Sequence, residues 1–401
     1  MKKIAVLTYY KCANFGANLQ ALSTYCFLKK KGYEPIFIDF RGNGPKKMGC
    51  VEKTQYDTHI QFIDSFIRLQ SVACRSERDV ENFVKSENIE SIIVGSDAVL
   101  QHHPLISRIK RGRRRPFFVE KIGYGQKFPN IFWTGIPSDI PMAMMSVSSQ
   151  NSEFNLFGPF LKRKMKSCLA RFRYISVRDS WTQDMVESII GKKVPVTPDP
   201  VFALNYNAAE LIPSKEIITQ EKKLPLDYCL ISLKSQVLSY DFLVELKRVM
   251  SEKGIACVAL TMPKGVKFKH PFDYEIAPPL SPIDWYALIK YSKGYIGNNM
   301  HPIIVCLHNS VPCVSLDNWG RTDFFNRKIK DSSSKVLHIM SAFGVESNHY
   351  YVEKNKYVDI SPDEIANKIF NYPFEVVKKK ADEFYDRYVG MMNEILINLE
   401  K

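Results

Sequence analysis

A chain of 401 residues with 45% hydrophobic and 24% charged side chains is long enough for roughly two domains and apolar enough for full-sized cores, which excludes bulk disorder. A net charge of +14 favours anionic partners, from phosphorylated small molecules to an anionic membrane surface. The basic runs RIKRGRRR (108–115) and KRKMKSCLARFR (162–173) come without a nucleic-acid-binding motif, so no nucleic acid is expected. Nine cysteines, an odd total with no CxxC, point to reduced thiols in a cytosolic compartment. The opening MKKIAVLTYYKCANFG lacks the apolar run of a secretory signal. The uncharged stretch 295–316 carries two prolines, three asparagines and two histidines, a poor membrane span. The expectation is a soluble cytoplasmic protein that can reach the inner face of the membrane.

In chain order, residues 2–7 read as a buried strand, and Asn14, Gly16 and Asn18 fall in a turn opening a helix that Gly32 stops. EPIFIDF is the next strand, so 1–40 form a βαβ unit with a small polar loop at its first crossover. Helices are expected near 57–70 and 76–86, then a strand 91–94 ending in Gly95-Ser96-Asp97. Gly95 admits a close backbone approach there, and Ser96 and Asp97 offer a hydroxyl and a carboxylate or simply cap a helix. Residues 101–140 look like a long insertion. Strand 142–148 ends in Ser148-Ser149-Gln150, and strand 174–177 ends in Arg178-Asp179, with Ser180 placed to cap helix 181–190. Pro198-Asp199-Pro200 is a rigid turn suited to a domain edge.

The second half repeats the style, with strands 227–233 and 255–260, helix 239–253, an irregular 262–280 and a helix from Pro282 to about Tyr291. Strand 293–297 then leads through Asn298–His301 into a short apolar segment and strand 312–316. Pro302 suits the first helical position, and Asn298 or Asn299 can cap the free amides. His301 thus sits where a strand's carboxyl end meets a helix's amino end, a place that favours an anion and a neutral imidazole. Taken alone, His301 fits a simple cap as well, and the β-branched 303–305 also permits a buried strand. A long amphipathic helix over 362–399 closes the chain. The expected division is 1–205, 206–360 and a final helix 361–401 packing back across both, in an α/β fold of two Rossmann-like parallel-sheet domains facing a cleft.

Five short motifs, in order, resemble the polysaccharide pyruvyl transferase family. Asn14-Phe15-Gly16-Ala17-Asn18-Leu19-Gln20-Ala21 is similar to the family's opening N-(Y/F)-G-x-x-L-Q-A element, and Val94-Gly95-Ser96-Asp97 to its G-S-D strand end. Ile175-Ser176-Val177-Arg178-Asp179 resembles S-x-R-(E/D), Pro198-Asp199-Pro200 the D-P after it, and Gly297 to His301 the histidine element before a buried helix. The resemblance implies a glycosyltransferase-B-like pair of domains. It also implies transfer of the enolpyruvyl unit of phosphoenolpyruvate, a co-substrate, to a sugar nucleotide or lipid-linked sugar of a cell-surface polysaccharide. No other cofactor and no metal is implied. His301 and Asp97 would be catalytic; Arg178, Asn299, Arg321, Asn14, Gly16, Asn18 and Ser96 would bind substrate. Where active members often place an arginine or Ser-Phe before the histidine, this chain has Asn299-Met300; losing an arginine there removes a contact of roughly 1.5–3 kcal/mol, and Arg321 is the expected replacement. The acceptor is expected mainly on the amino-terminal half. A nucleotide-sugar glycosyltransferase and a non-catalytic glycan- or nucleotide-binding relative are the rival readings.

Overall fold

The computed structural model describes residues 1–41, 51–111, 117–136, 139–317, 334–353 and 356–401. Two parallel sheets carry the chain. The first contains β1 (Lys3–Leu7), β2 (Glu34–Phe37), β3 (Ser91–Asp97), β6 (Met142–Val147) and β7 (Phe172–Val177), ordered β2-β1-β3-β6-β7. The short strands β4 (Ile109–Lys110) and β5 (Phe118–Val119) form a separate antiparallel pair between β3 and β6. The second sheet contains β8 (Tyr228–Ser232), β9 (Ala256–Leu260), β10 (Tyr274–Ile276), β11 (Gly294–Gly297), β12 (Cys313–Asp317) and β13 (His349–Tyr351). Its order is β10-β9-β8-β11-β12-β13.

Each order reverses once, between β1 and β3 in the first sheet and between β8 and β11 in the second. Connections leave in opposite directions on either side of such a point and open a crevice at the strands' carboxyl ends. Strand sequences such as Ile92-Ile93-Val94 and Cys229-Leu230-Ile231 are apolar without alternation because helices cover both faces.

Local signals account for most helix ends. Asn14 caps helix Phe15–Lys30 by accepting from the Ala17 amide, and Gly32 follows with φ +82°. Asp179, not Ser180, caps helix Ser180–Ile190, accepting from the Thr182 amide at 2.7 Å, and Gly191 closes it with φ +77°. The expected closing helix is two helices, Pro362–Phe370 and Phe374–Glu400, because Pro373 cannot continue the first. The apolar segment after His301 is a helix, Met300–His308, rather than a strand. It begins two residues before Pro302, which still lies in the first turn, where its missing N–H goes unused. Sequence patterning also passed over the helix Pro159–Leu169, strands β10 and β13, and the helix Lys335–Ala342.

The largest apolar cluster draws on both halves: Val6 and Leu19 from the first, Tyr228 and Ile304 from the second, Tyr388 and Met392 from the final helix. Phe15 stacks on Trp285 across the junction, ring centroids 4.9 Å apart. The chain crosses between halves after Pro200 and returns at Pro373. The final helix lies against the first sheet, where Lys2 pairs with Glu400 at 2.9 Å and Arg387 donates to the Val196 carbonyl.

Candidate active site

Both reversal points open into one cavity of about 630 Å³. From the first sheet come the loop after β1 (Asn14, Gly16), Asp97 at the end of β3 and Arg178 after β7; from the second come Asn299, Met300 and His301 after β11. Four lysines and Arg178 face the single carboxylate of Asp97 among the described lining residues, so the field favours an anion.

The first half's polar groups are locked to one another. Asp199, 1% exposed, accepts from Arg178 Nη1 at 2.7 Å and from the Gln20 amide through one oxygen, and from the Val201 amide at 2.9 Å through the other. Arg178 Nη2 lies 3.9 Å from Asp97 Oδ1. Burial works against the Arg178 charge, but Asp199, Asp97 and Asp179 outweigh it and raise its pKa, so the guanidinium stays charged. Asp97 adopts φ +81°, which turns its side chain out of the strand line, and its carboxylate accepts from the Ala98 amide at 2.7 Å. Behind it Gly95 is required: φ is +107°, and a Cβ there would meet the Met145 carbonyl oxygen at 2.5 Å.

His301 crosses from the other half onto the bare backbone of Gly16. A Cβ on Gly16 would stand 2.1 Å from the His301 Cγ, so glycine lets the two halves close ring against backbone. Burial lowers the His301 pKa and Arg178 adds to that, against an opposite pull from Asp199 and Asp97; the ring is neutral at pH 7. The expected neutrality thus stands, with burial rather than the helix end as its main cause. Gln20 Nε2 lies 3.5 Å from His301 Nε2. An amide nitrogen only donates, so with the Gln20 amide oriented this way the ring proton sits on Nδ1.

The two asparagines do not cap the helix. The Asn298 side-chain oxygen accepts from the Lys234 amide at 3.0 Å, and the Asn299 amide points to the Met262 sulfur. The amides of the first turn of Met300–His308 therefore have no side-chain cap beside the cavity.

Asn14, Gly16, Asp97, Arg178, Asn299 and His301 come together as expected of one site, while Asn18 and Ser96 stay outside it. Asn18 donates to the Cys12 carbonyl at 2.8 Å and meets His59 Nδ1 at 3.0 Å, holding the loop after β1 from behind. Ser96 is buried with its hydroxyl unpartnered, and its carbonyl accepts from Thr8. Arg321 falls outside the described residues. Lys335, which sequence reasoning missed, brings a second cation from the start of helix Lys335–Ala342, its Nζ donating to Ser148 Oγ at 3.0 Å across the cleft. Burial, reinforced by Arg178, brings its pKa down to about 8. Among the described residues no group of His, Cys, Asp and Glu side chains is placed to hold a metal ion.

Two parallel-sheet halves meeting at facing reversal points define a glycosyltransferase-B-like fold. Among solved structures, the UDP-GlcNAc 2-epimerase of Neisseria meningitidis bound to UDP-GlcNAc is similar over 99% of this chain and 100% of its own. Its TM-score is 0.56 at 10% identity. A ugt transferase from Siraitia grosvenorii in complex with UDP covers 100% of both chains at TM-score 0.50 and 10% identity. At these identities the likeness is one of fold. The chain itself belongs to the polysaccharide pyruvyl transferase family, whose pattern matches residues 14–320. No curated protein matches it. Among the described residues no helix is long and apolar enough to cross a membrane.

Proposed function

We propose that this member of a transferase family moves the enolpyruvyl unit of phosphoenolpyruvate onto two hydroxyls of one sugar, forming a pyruvate ketal and releasing inorganic phosphate. The observation that carries the reading is the pairing of two cations, Arg178 and Lys335, with a neutral imidazole at the junction of the halves. The donor carries a carboxylate and a phosphate; a guanidinium fork and an ammonium suit such a pair. Lys335 fills the role expected of Arg321 and offsets the missing arginine before His301.

Protonation of the enol methylene leaves a cation at the central carbon, which the first sugar hydroxyl attacks. Loss of phosphate regenerates the cation and the second hydroxyl closes the ketal. Two C–O bonds form, one breaks and one C=C bond becomes a methyl group; one hydroxyl proton ends on carbon and the other leaves with phosphate. His301, neutral, takes a hydroxyl proton on Nε2 in place of the long Gln20 contact and passes it on to the methylene carbon, while the Asp97 carboxylate stabilises the cation at the central carbon. Arg178 and Lys335 hold the donor's charges in place as phosphate departs.

A second reading has its own support. Lys234, Lys264 and Lys267 line the cavity around the reversal point of the second sheet, where a nucleotide diphosphate would also fit. Incubating the protein with phosphoenolpyruvate and a panel of sugar nucleotides and lipid-linked sugars decides between them. Ketal formation gives inorganic phosphate and an acceptor heavier by one pyruvate less water. Release of nucleotide without consumption of phosphoenolpyruvate overturns the proposal in favour of glycosyl transfer.

A further inference from the structure

Large apolar side chains stand exposed on the excursion that leaves the first sheet after β3. Leu105 and Ile106 are 61% and 64% exposed, and Phe117, Phe118 and Val119 are 62%, 36% and 47% exposed. Phe118 and Val119 stand on the strand that pairs with Ile109 and Lys110, and Leu105 and Ile106 on the helix Leu105–Arg108 that leads into that pair. The stretch 104–120 contains six Lys and Arg residues against one acidic residue, Glu120; three of the six, Arg113, Arg114 and Arg115, lie outside the described residues. The excursion is firmly seated: the His102 amide donates to Ser152 Oγ at 3.0 Å, and the His102 ring packs against Phe157 at 5.3 Å. Just beyond Phe157, the helix Pro159–Leu169 exposes Phe160 at 82% and carries Lys162, Arg163, Lys164 and Lys166 with no acidic residue.

We propose that this face docks on an anionic lipid bilayer, with the aromatic and aliphatic side chains entering the headgroup boundary and the flanking cations holding lipid phosphates. Apolar side chains and a predominantly positive charge together match an anionic membrane surface. A second copy of this chain would set like charges face to face, and a nucleic acid makes no use of exposed leucine and isoleucine. The inference rests on this surface alone and stands whether or not the cavity transfers pyruvate. It bears on the acceptor, because the excursion begins directly after Asp97 and docking would hold the cavity beside the bilayer, within reach of a lipid-linked sugar.

The test is co-sedimentation of the full chain with vesicles of phosphatidylcholine alone and of phosphatidylcholine mixed with phosphatidylglycerol. Binding is expected only with phosphatidylglycerol and should weaken as salt rises, each basic side chain at the surface contributing roughly fivefold in affinity. The pairs Phe117→Ser with Phe118→Ser, and Leu105→Ser with Ile106→Ser, should each lower affinity about tenfold with unchanged thermal unfolding. The proposal is overturned by equal binding to both vesicles, by no binding to either, or by unaltered affinity in both variant pairs. Preferential binding of single-stranded RNA at the same salt, or dimerisation abolished by the same substitutions, would assign the surface elsewhere and overturn it too.

Discussion

The two halves put polar residues at equivalent places, the carboxyl ends of strands beside a reversal point, yet hold them in opposite ways. In the first half, Gln20, Arg178 and Asp199 are buried and bonded to each other. Around the second half's reversal point, the charged groups Lys234, Lys264 and Lys267 are exposed on long stems, while His301 and Lys335 are pressed into the junction and the neutral Asn298 is buried behind them. A buried network fixes direction to a fraction of an ångström, whereas exposed lysines supply a field that salt weakens. The contrast assigns positioning to the first half and attraction to the second.

The largest expected effect breaks the rigid side. Arg178→Lys keeps a charge but loses the fork, and kcat/KM should fall by about 10²–10³-fold. Arg178→Ala should also destabilise the fold by roughly 3–5 kcal/mol, because it strands the buried Asp199 carboxylate. Adding Asp199→Asn should return much of that stability and none of the activity, measured by denaturant unfolding alongside turnover. A normal turnover in Arg178→Lys would dissolve the comparison.

Gly16→Ala strikes the seam where the halves touch. The added methyl must push the His301 ring aside, so activity should drop about a hundredfold while overpacking costs roughly 1–3 kcal/mol. Lys335→Met sharpens the contrast from the other side. In the wild type, kcat/KM should fall as pH rises through about 8, where Lys335 loses its proton. The variant should show a donor KM raised roughly tenfold and no such alkaline limb. On the acid side, His301 must lose a proton to act as base, and its pKa lies below the ordinary 6.5. Activity should therefore hold at neutral pH and decline only in more acidic solution. The smallest effect is expected from Lys264→Ala with Lys267→Ala: about two- to fivefold in KM at low salt, vanishing at high salt.

The same contrast explains what could be read in the residues beforehand. Strands and helices of the α/β pattern announce themselves through apolar runs and local caps, and the residues gathered from 14 to 301 belong to short motifs with characteristic turns. Lys335 had no such flag, since a lysine in the first turn of an amphipathic helix looks like any other until the cleft is assembled. Asp199 was visible as the centre of a Pro-Asp-Pro turn and as the D-P of a family motif, with no role attached; its bond to Arg178 spans 21 positions and is a fact of three dimensions. Asn18 misled for the converse reason. It lies one helical turn from Asn14, but that helix is buried nearly all round, so its side chain turns inward to Cys12 and His59. Pro373 did carry its signal, yet the amphipathic pattern on both sides of it concealed the break.

The return of the final helix to the first half has a mechanical consequence. Because the polypeptide passes from one half to the other after Pro200 and back at Pro373, any swing of the halves is borne by two hinges, as with a door, and only axes running close to both are available. A swing so constrained would follow one arc and bring the imidazole to the same glycine each time.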